Sequence, residues 1–151
     1  MSDGMRRVEF HHGIGNKVGY ACRLLRKAYR AGAQVVVTAD AATLQALNHE
    51  LWVFDEQEFL PHVLQGDSAV PERLHASPIW LAVDPATAPG QRPILVNLGH
   101  EVPASLERFE RLFDLVSSAP DDRQEGRRRW KAYAALGWEV HPHEVKDEAP
   151  A

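Results

Sequence analysis

Five cations and two aromatic rings crowd one short stretch near the end of the chain: Arg123, Arg127, Arg128, Arg129 and Lys131 around Trp130 and Tyr133. The chain of 151 residues carries a formal net charge of −4, so this is a local basic patch on an acidic protein. Such a patch points to one chosen anionic partner. If residues 119–136 are helical, Arg123, Arg127, Trp130 and Lys131 fall at i, i+4, i+7 and i+8 and share a face. Guanidinium groups grip carboxylates in pairs of hydrogen bonds, and an indole covers apolar area. The face therefore suits a carboxylate attached to a hydrophobic side chain. The competing reading is a solvated helix whose Trp packs into the core. Overall acidity weighs against broad duplex binding, which rests on many Lys and Arg contacts to phosphate.

A second segment, 51–62, holds Trp52, Phe54 and Phe59 among acidic residues and ends in Leu60-Pro61-His62. Pro61 biases Leu60 toward extended backbone. Three rings at the end of an element are hard to bury together, and exposed clustered aromatics are natural interface anchors. Core packing is the alternative for Trp52.

Other residues invite chemistry without assembling it. Gly13-Ile14-Gly15-Asn16-Lys17-Val18-Gly19 follows the first strand, with Asp40 further on, as in a dinucleotide fingerprint. The spacing is G-x-G-x-x-x-G, however, and glycines also serve any tight strand-to-helix turn. A nucleotide-binding enzyme using Gly13, Gly15 and Gly19 is the alternative to a binding module, and no G-x-x-x-x-G-K-[ST] loop is present. His11 and His12 would point to opposite faces of a strand; His141 and His143 could share one but lack an obvious third ligand. The remaining histidines, His49, His62, His75 and His100, are scattered. No metal, no cofactor and no catalytic residue is expected. Cys22, the one cysteine, excludes an internal disulfide and lies in an apolar helical pattern, as a core residue would.

The elements that must position these groups alternate. A strand around 8–10 leads into a helix over 17–31, where Val18, Ala21, Cys22, Leu24, Leu25 and Ala28 recur at helical spacing before Gly32. Val35-Val36-Val37 reads as a strand buried on both faces, and Asp40 caps a helix reaching about Leu51. Strands follow at 79–83 and 93–98, expected to be neighbours, then a short helix at 105–110 and the apolar run Leu112-Phe113-Asp114-Leu115-Val116. Pro120 starts the basic helix, and a strand at 138–140 closes the series. This order predicts an α/β fold, a single Rossmann-like domain with an open, mostly parallel sheet and helices on both faces. Length and 44% hydrophobic content fit one domain with its own core. Residues 1–4 read as an extension, 5–143 as the domain and 144–151 as a flexible acidic tail. No run reaches the roughly 20 apolar residues of a membrane span, and the polar start does not look like a signal peptide; a cytoplasmic protein without membrane contact is expected.

Leu51-Trp52 with Phe59-Leu60-Pro61-His62, then Leu64 and Gly66, resembles the LW…F-x-P-H signature of the chi subunit of bacterial DNA polymerase III. So does Arg127-Arg128-Arg129-Trp130-Lys131-Ala132-Tyr133 running into Gly137-Trp138, and the two motifs occur in the family's order. The resemblance implies a non-catalytic accessory subunit that links the clamp loader to single-stranded-DNA-binding protein (SSB), meeting nucleic acid only indirectly. It implies that the acidic C-terminal tail of SSB docks on the basic helix. Arg123, Arg127 and Lys131 would supply charge there, Trp130 and Val116 the apolar wall, and Arg128 the margin. The family often has Tyr where this chain has Trp130 and Lys where it has Arg123. Around Trp52, Phe59 and Pro61 the resemblance implies a surface for the psi subunit of the clamp loader, or for a repair helicase.

Overall fold

The computed structural model describes residues 6–55, 57–66 and 68–146. Seven strands form one sheet: β1 (Arg7–Ile14), β2 (Val35–Thr38), β3 (His62–Leu64), β4 (Ile79–Leu81), β5 (Ile94–Asn97), β6 (Arg111–Ser117) and β7 (Glu139–Glu144). Their order is β3-β4-β2-β5-β6-β1-β7, and every pairing is parallel. Helices α1 (Lys17–Arg30) and α2 (Ala41–Val53) cover one face, where Ala21, Cys22, Leu25, Leu44, Leu47 and Leu51 bury against Val35, Val37, Ile79 and Leu81. Helix α3 (Pro120–Ala135) covers the other, with Tyr133 packed among Val8, Phe10, Leu112 and Val116. The expected α/β sheet with helices on both faces is what forms.

Local chemistry sets the helix starts. Asn16 caps α1 by accepting the Gly19 amide at 3.1 Å. Asp40 caps α2 by accepting the Thr43 amide at 3.1 Å and the Thr43 hydroxyl at 2.7 Å. Pro120 occupies the first turn of α3, where its missing N–H costs nothing, and Asp121 and Asp122 complement the positive end of the helix dipole. Cys22 is fully buried, and burial pushes its thiol up to about 11, so it is core.

Four expectations change. The strands at 79–83 and 93–98 are not neighbours: β2 lies between β4 and β5, its four residues all buried. A run of Val buried on both faces gains most at the centre of a parallel sheet, bonded on both sides. Arg92 stabilises the resulting crossover, its guanidinium donating to the carbonyls of Pro89 (3.1 Å), Ser77 (2.7 Å) and His75 (2.8 Å). The short helix at 105–110 is a single 3-10 turn, Leu106–Arg108. The segment after Pro61 contributes β3, an edge strand too short to show a period. At the other edge β7 continues to Glu144, and the Val145 amide donates to the His12 carbonyl at 2.8 Å. Residues 1–4, read as an extension, and 147–151 of the segment 144–151 read as a tail lie outside the described residues, while Glu144 belongs to β7.

Among buried acids, Glu9 accepts from His143 Nε2 at 2.6 Å and lies 3.1 Å from the Arg7 guanidinium. Burial raises its pKa, but His143, Arg7 and Arg111 outweigh that and hold it below the ordinary value. The neighbouring His11, half-buried and facing His143, is pushed down to about 4 by desolvation and by that imidazole. Asp122 is likewise lowered: burial opposes, while the Ser117 amide (2.7 Å) and Lys17 Nζ (3.1 Å) favour the carboxylate. A carboxyl whose folded pKa is depressed adds stability above its unfolded pKa and loses it as pH falls through the folded value. Denaturant unfolding is therefore expected to show stability dropping as pH falls through and below the ordinary carboxylate range. Lys17→Met should make that drop shallower.

Candidate partner-binding surfaces

Helix α3 sorts its residues by face. Asp122, Gly126, Arg129 and Tyr133 recur at helical spacing and are buried. Gly126 permits the close approach to β6: a Cβ there would sit 3.0 Å from both Val116 methyl carbons and 3.4 Å from Phe10 Cζ. Arg129, grouped by sequence with the basic surface, is 1% exposed and belongs to the interior. Its Nε and Nη2 each donate to Asp114 at 2.9 Å, and its Nη1 donates to the His100 carbonyl at 2.8 Å. Tyr133 donates its hydroxyl to the same Asp114 carboxylate, and burial beside that charge raises the phenol pKa. Asp114 sits within an apolar strand run, so the burial of Arg129 follows from the partner that β6 offers it.

What remains outward is the expected face. Arg123, Arg127 and Lys131 are exposed, and Trp130 is half-buried with its indole edge-on to Phe10, ring centroids 4.9 Å apart. Phe10, which sequence reasoning did not single out, fixes the plate from beneath. None of the three cations makes a hydrogen bond or ion pair within the described residues. Arg128 points to the other flank, lining a cavity of about 260 Å³ with His100, Glu101, Val102, Glu125 and Arg129, which suits a marginal position. Val116, expected in the apolar wall beside Trp130, is 2% exposed and lies beneath Gly126, where it supports the helix.

The aromatic segment is held open by its acids. Asp55 pairs with Arg26 at 3.2 Å and Glu58 pairs with Arg30, so the loop is pinned to α1 at two points, and Leu60 is buried in the core. Pinning leaves Trp52 59% and Phe59 53% exposed, their rings 5.1 Å apart, with the His62 ring 5.1 Å from Trp52. Exposed and in mutual ring contact, the pair presents apolar area to solvent. Pro61 is half-buried between Leu60 and β3. Trp52 sits at the end of α2 beside edge strand β3, whereas α3 lies over β6, β1 and β7 on the opposite face. Six strand spacings separate the two sheet edges, roughly 30 Å.

The glycine loop does not have the cradle geometry. Gly13 lies inside β1 at φ +79°, the Gly19 amide is taken by Asn16, and Asp40 is spent on capping α2. No described helix is long and apolar enough to cross a membrane.

In overall shape the chain is similar to the C-terminal domain of the DEAD-box protein Dbp5, with a TM-score of 0.63 over 97% of this chain and 94% of that one. At 13% identity that likeness concerns the fold alone. In sequence it is similar to DNA polymerase III subunit chi of Pseudomonas aeruginosa, 34% identical over 93% of this chain and 98% of that protein. The Escherichia coli subunit of the same name is 24% identical over 80% of each chain. Residues 5–141 match the family described as DNA polymerase III chi subunit, HolC. The chain thus belongs to the DNA polymerase III chi subunit family, whose place is that of an accessory subunit in DNA replication.

Proposed function

We infer that this protein is a non-catalytic cytoplasmic subunit that tethers the clamp loader and its polymerase to SSB on the lagging-strand template. The observation that carries the reading is the outward face of α3, where Arg123, Arg127 and Lys131 surround the half-buried Trp130 on a chain of net charge −4. An acidic tail ending in a hydrophobic residue and a free carboxylate matches that face group by group: the guanidinium groups take the carboxylates and the indole takes the terminal side chain. A tether also needs a second attachment. Trp52 and Phe59, supported by Pro61, provide an apolar surface at the far edge and opposite face of the sheet, suited to psi or to a repair helicase. Partners on the two surfaces would not collide, so one domain can hold both at once.

Exposed charges are screened by salt, so tail binding should be reversible and weaken as ionic strength rises. The test is a fluorescence titration of a peptide copying the cognate SSB tail. Binding should fall with salt and fall further when the terminal carboxylate is amidated. Binding indifferent to both changes would overturn the reading.

A further inference from the structure

Three donor groups that the tether does not use meet where the loop after β5 crosses the start of α3. His100, Asp122 and Glu125 each place one ligand atom within 4.8 Å of the others, and His100 Nδ1 lies 2.8 Å from Glu125 Oε1. Asp122 and Glu125 are three residues apart on one helix and so share a side. The third donor comes from a loop that is locked in place. The His100 carbonyl accepts from Arg129 Nη1 at 2.8 Å, and the Gly99 amide donates to Asn97 Oδ1 at 2.9 Å. Asp122 supplies an independent sign of a missing partner. The residue is 9% exposed, and its Oδ2 is taken by the Ser117 amide and Lys17, yet its Oδ1 is buried with no hydrogen-bond partner among the described residues. Buried carboxylate oxygens are ordinarily satisfied, and an unsatisfied one calls for a water or an ion.

We propose that His100, Asp122 and Glu125 form a binding site for a divalent cation of the zinc class. One imidazole and two carboxylates are a borderline donor set, matched to Zn²⁺; Mg²⁺ and Ca²⁺ prefer oxygen alone. Lys17 on Oδ2 leaves Asp122 a single free oxygen to give. The His100 and Glu125 side chains are 62% and 36% exposed, so the remaining coordination position opens to solvent, where a water or a donor from a partner can enter. Cation binding exchanges the His100–Glu125 hydrogen bond for two metal bonds and clamps the loop after β5 to the first turns of α3. The site lies on the Glu125 and Arg128 flank, apart from Arg123 and Arg127.

Calorimetric titration of Zn²⁺ into the full chain at neutral pH, in a buffer that does not chelate, tests the site. One equivalent should bind, and His100→Ala and Glu125→Gln should each weaken it at least about tenfold. His100 is exposed and Glu125 only half-buried, so both variants should fold, which circular dichroism checks. His143→Ala probes the rival cluster around Glu9 and His11 and should leave the affinity unchanged. Backbone and imidazole NMR signals of His100 should shift on addition of one equivalent of Zn²⁺. No Zn²⁺ binding, binding that survives His100→Ala, binding lost in His143→Ala, or equal competition by Mg²⁺ would each overturn the proposal.

Discussion

Replacing Asp114 with alanine is expected to lower folding stability by about 3–5 kcal/mol, the cost typical of removing one member of a buried ion pair. The reason lies in what stays behind. Arg129 is 1% exposed and spends Nε and Nη2 on Asp114; without that carboxylate a guanidinium remains buried with only the His100 carbonyl to accept from it. Tyr133, fully buried, loses its acceptor at the same time. Burial opposes the charge on Arg129, and Asp114 more than compensates, so its pKa is raised; the arginine cannot escape by losing its proton. The double variant Asp114→Leu/Arg129→Met should recover much of the loss, because matched apolar groups remove both the charge and its desolvation penalty. Urea unfolding of Asp114→Leu, Arg129→Met and the double closes the cycle. A loss below about 1 kcal/mol in Asp114→Ala would mean that the network adds little to stability.

This network also marks what the sequence shows and what it hides. Period and punctuation make the helices legible: apolar spacing over α1, Asp40 before α2 and Pro120 before α3 are local signals with local causes. Three consecutive valines announce a strand with two covered faces but not its neighbours, since pairing order depends on crossovers that no local pattern records. The same limit governs the basic cluster. Arg127, Arg128 and Arg129 are alike as a string. Which of them is buried depends on Asp114, which β6 brings beneath the helix from an earlier element. Trp130 and Lys131 keep the face that helical spacing gives them, while Val116 passes under the helix because Gly126 has no side chain to hold it away. In the aromatic segment, Asp55 and Glu58 look like ordinary solvated acids. Their use as pins to Arg26 and Arg30 emerges only once α1 and the loop are side by side.

Charge reversal on α3 should separate the two surfaces. Arg127 is exposed and its guanidinium has no partner among the described residues, so Arg127→Glu should leave stability within about 0.5 kcal/mol. Its effect on the SSB tail should be large. Losing a charge-assisted pair costs about 1–3 kcal/mol, and like-charge repulsion at contact adds about 1 kcal/mol. The sum is about 2–4 kcal/mol, roughly 30- to 1,000-fold in dissociation constant. Trp52→Ala, on the opposite face and five strand spacings, roughly 24 Å, across the sheet, should leave tail binding unchanged, because distant sites without shared partners add independently. It should instead weaken whichever partner covers the Trp52 and Phe59 rings, since truncating an exposed stacked indole removes an interface anchor. The measurement is a pair of titrations on each variant, one with the tail peptide and one with a psi or helicase partner. Crossed results, each variant losing one partner and keeping the other, are what a tether with two attachments requires. If Arg127→Glu weakened both partners alike, the two surfaces would be one coupled site, and a domain holding two partners at once would not describe this protein.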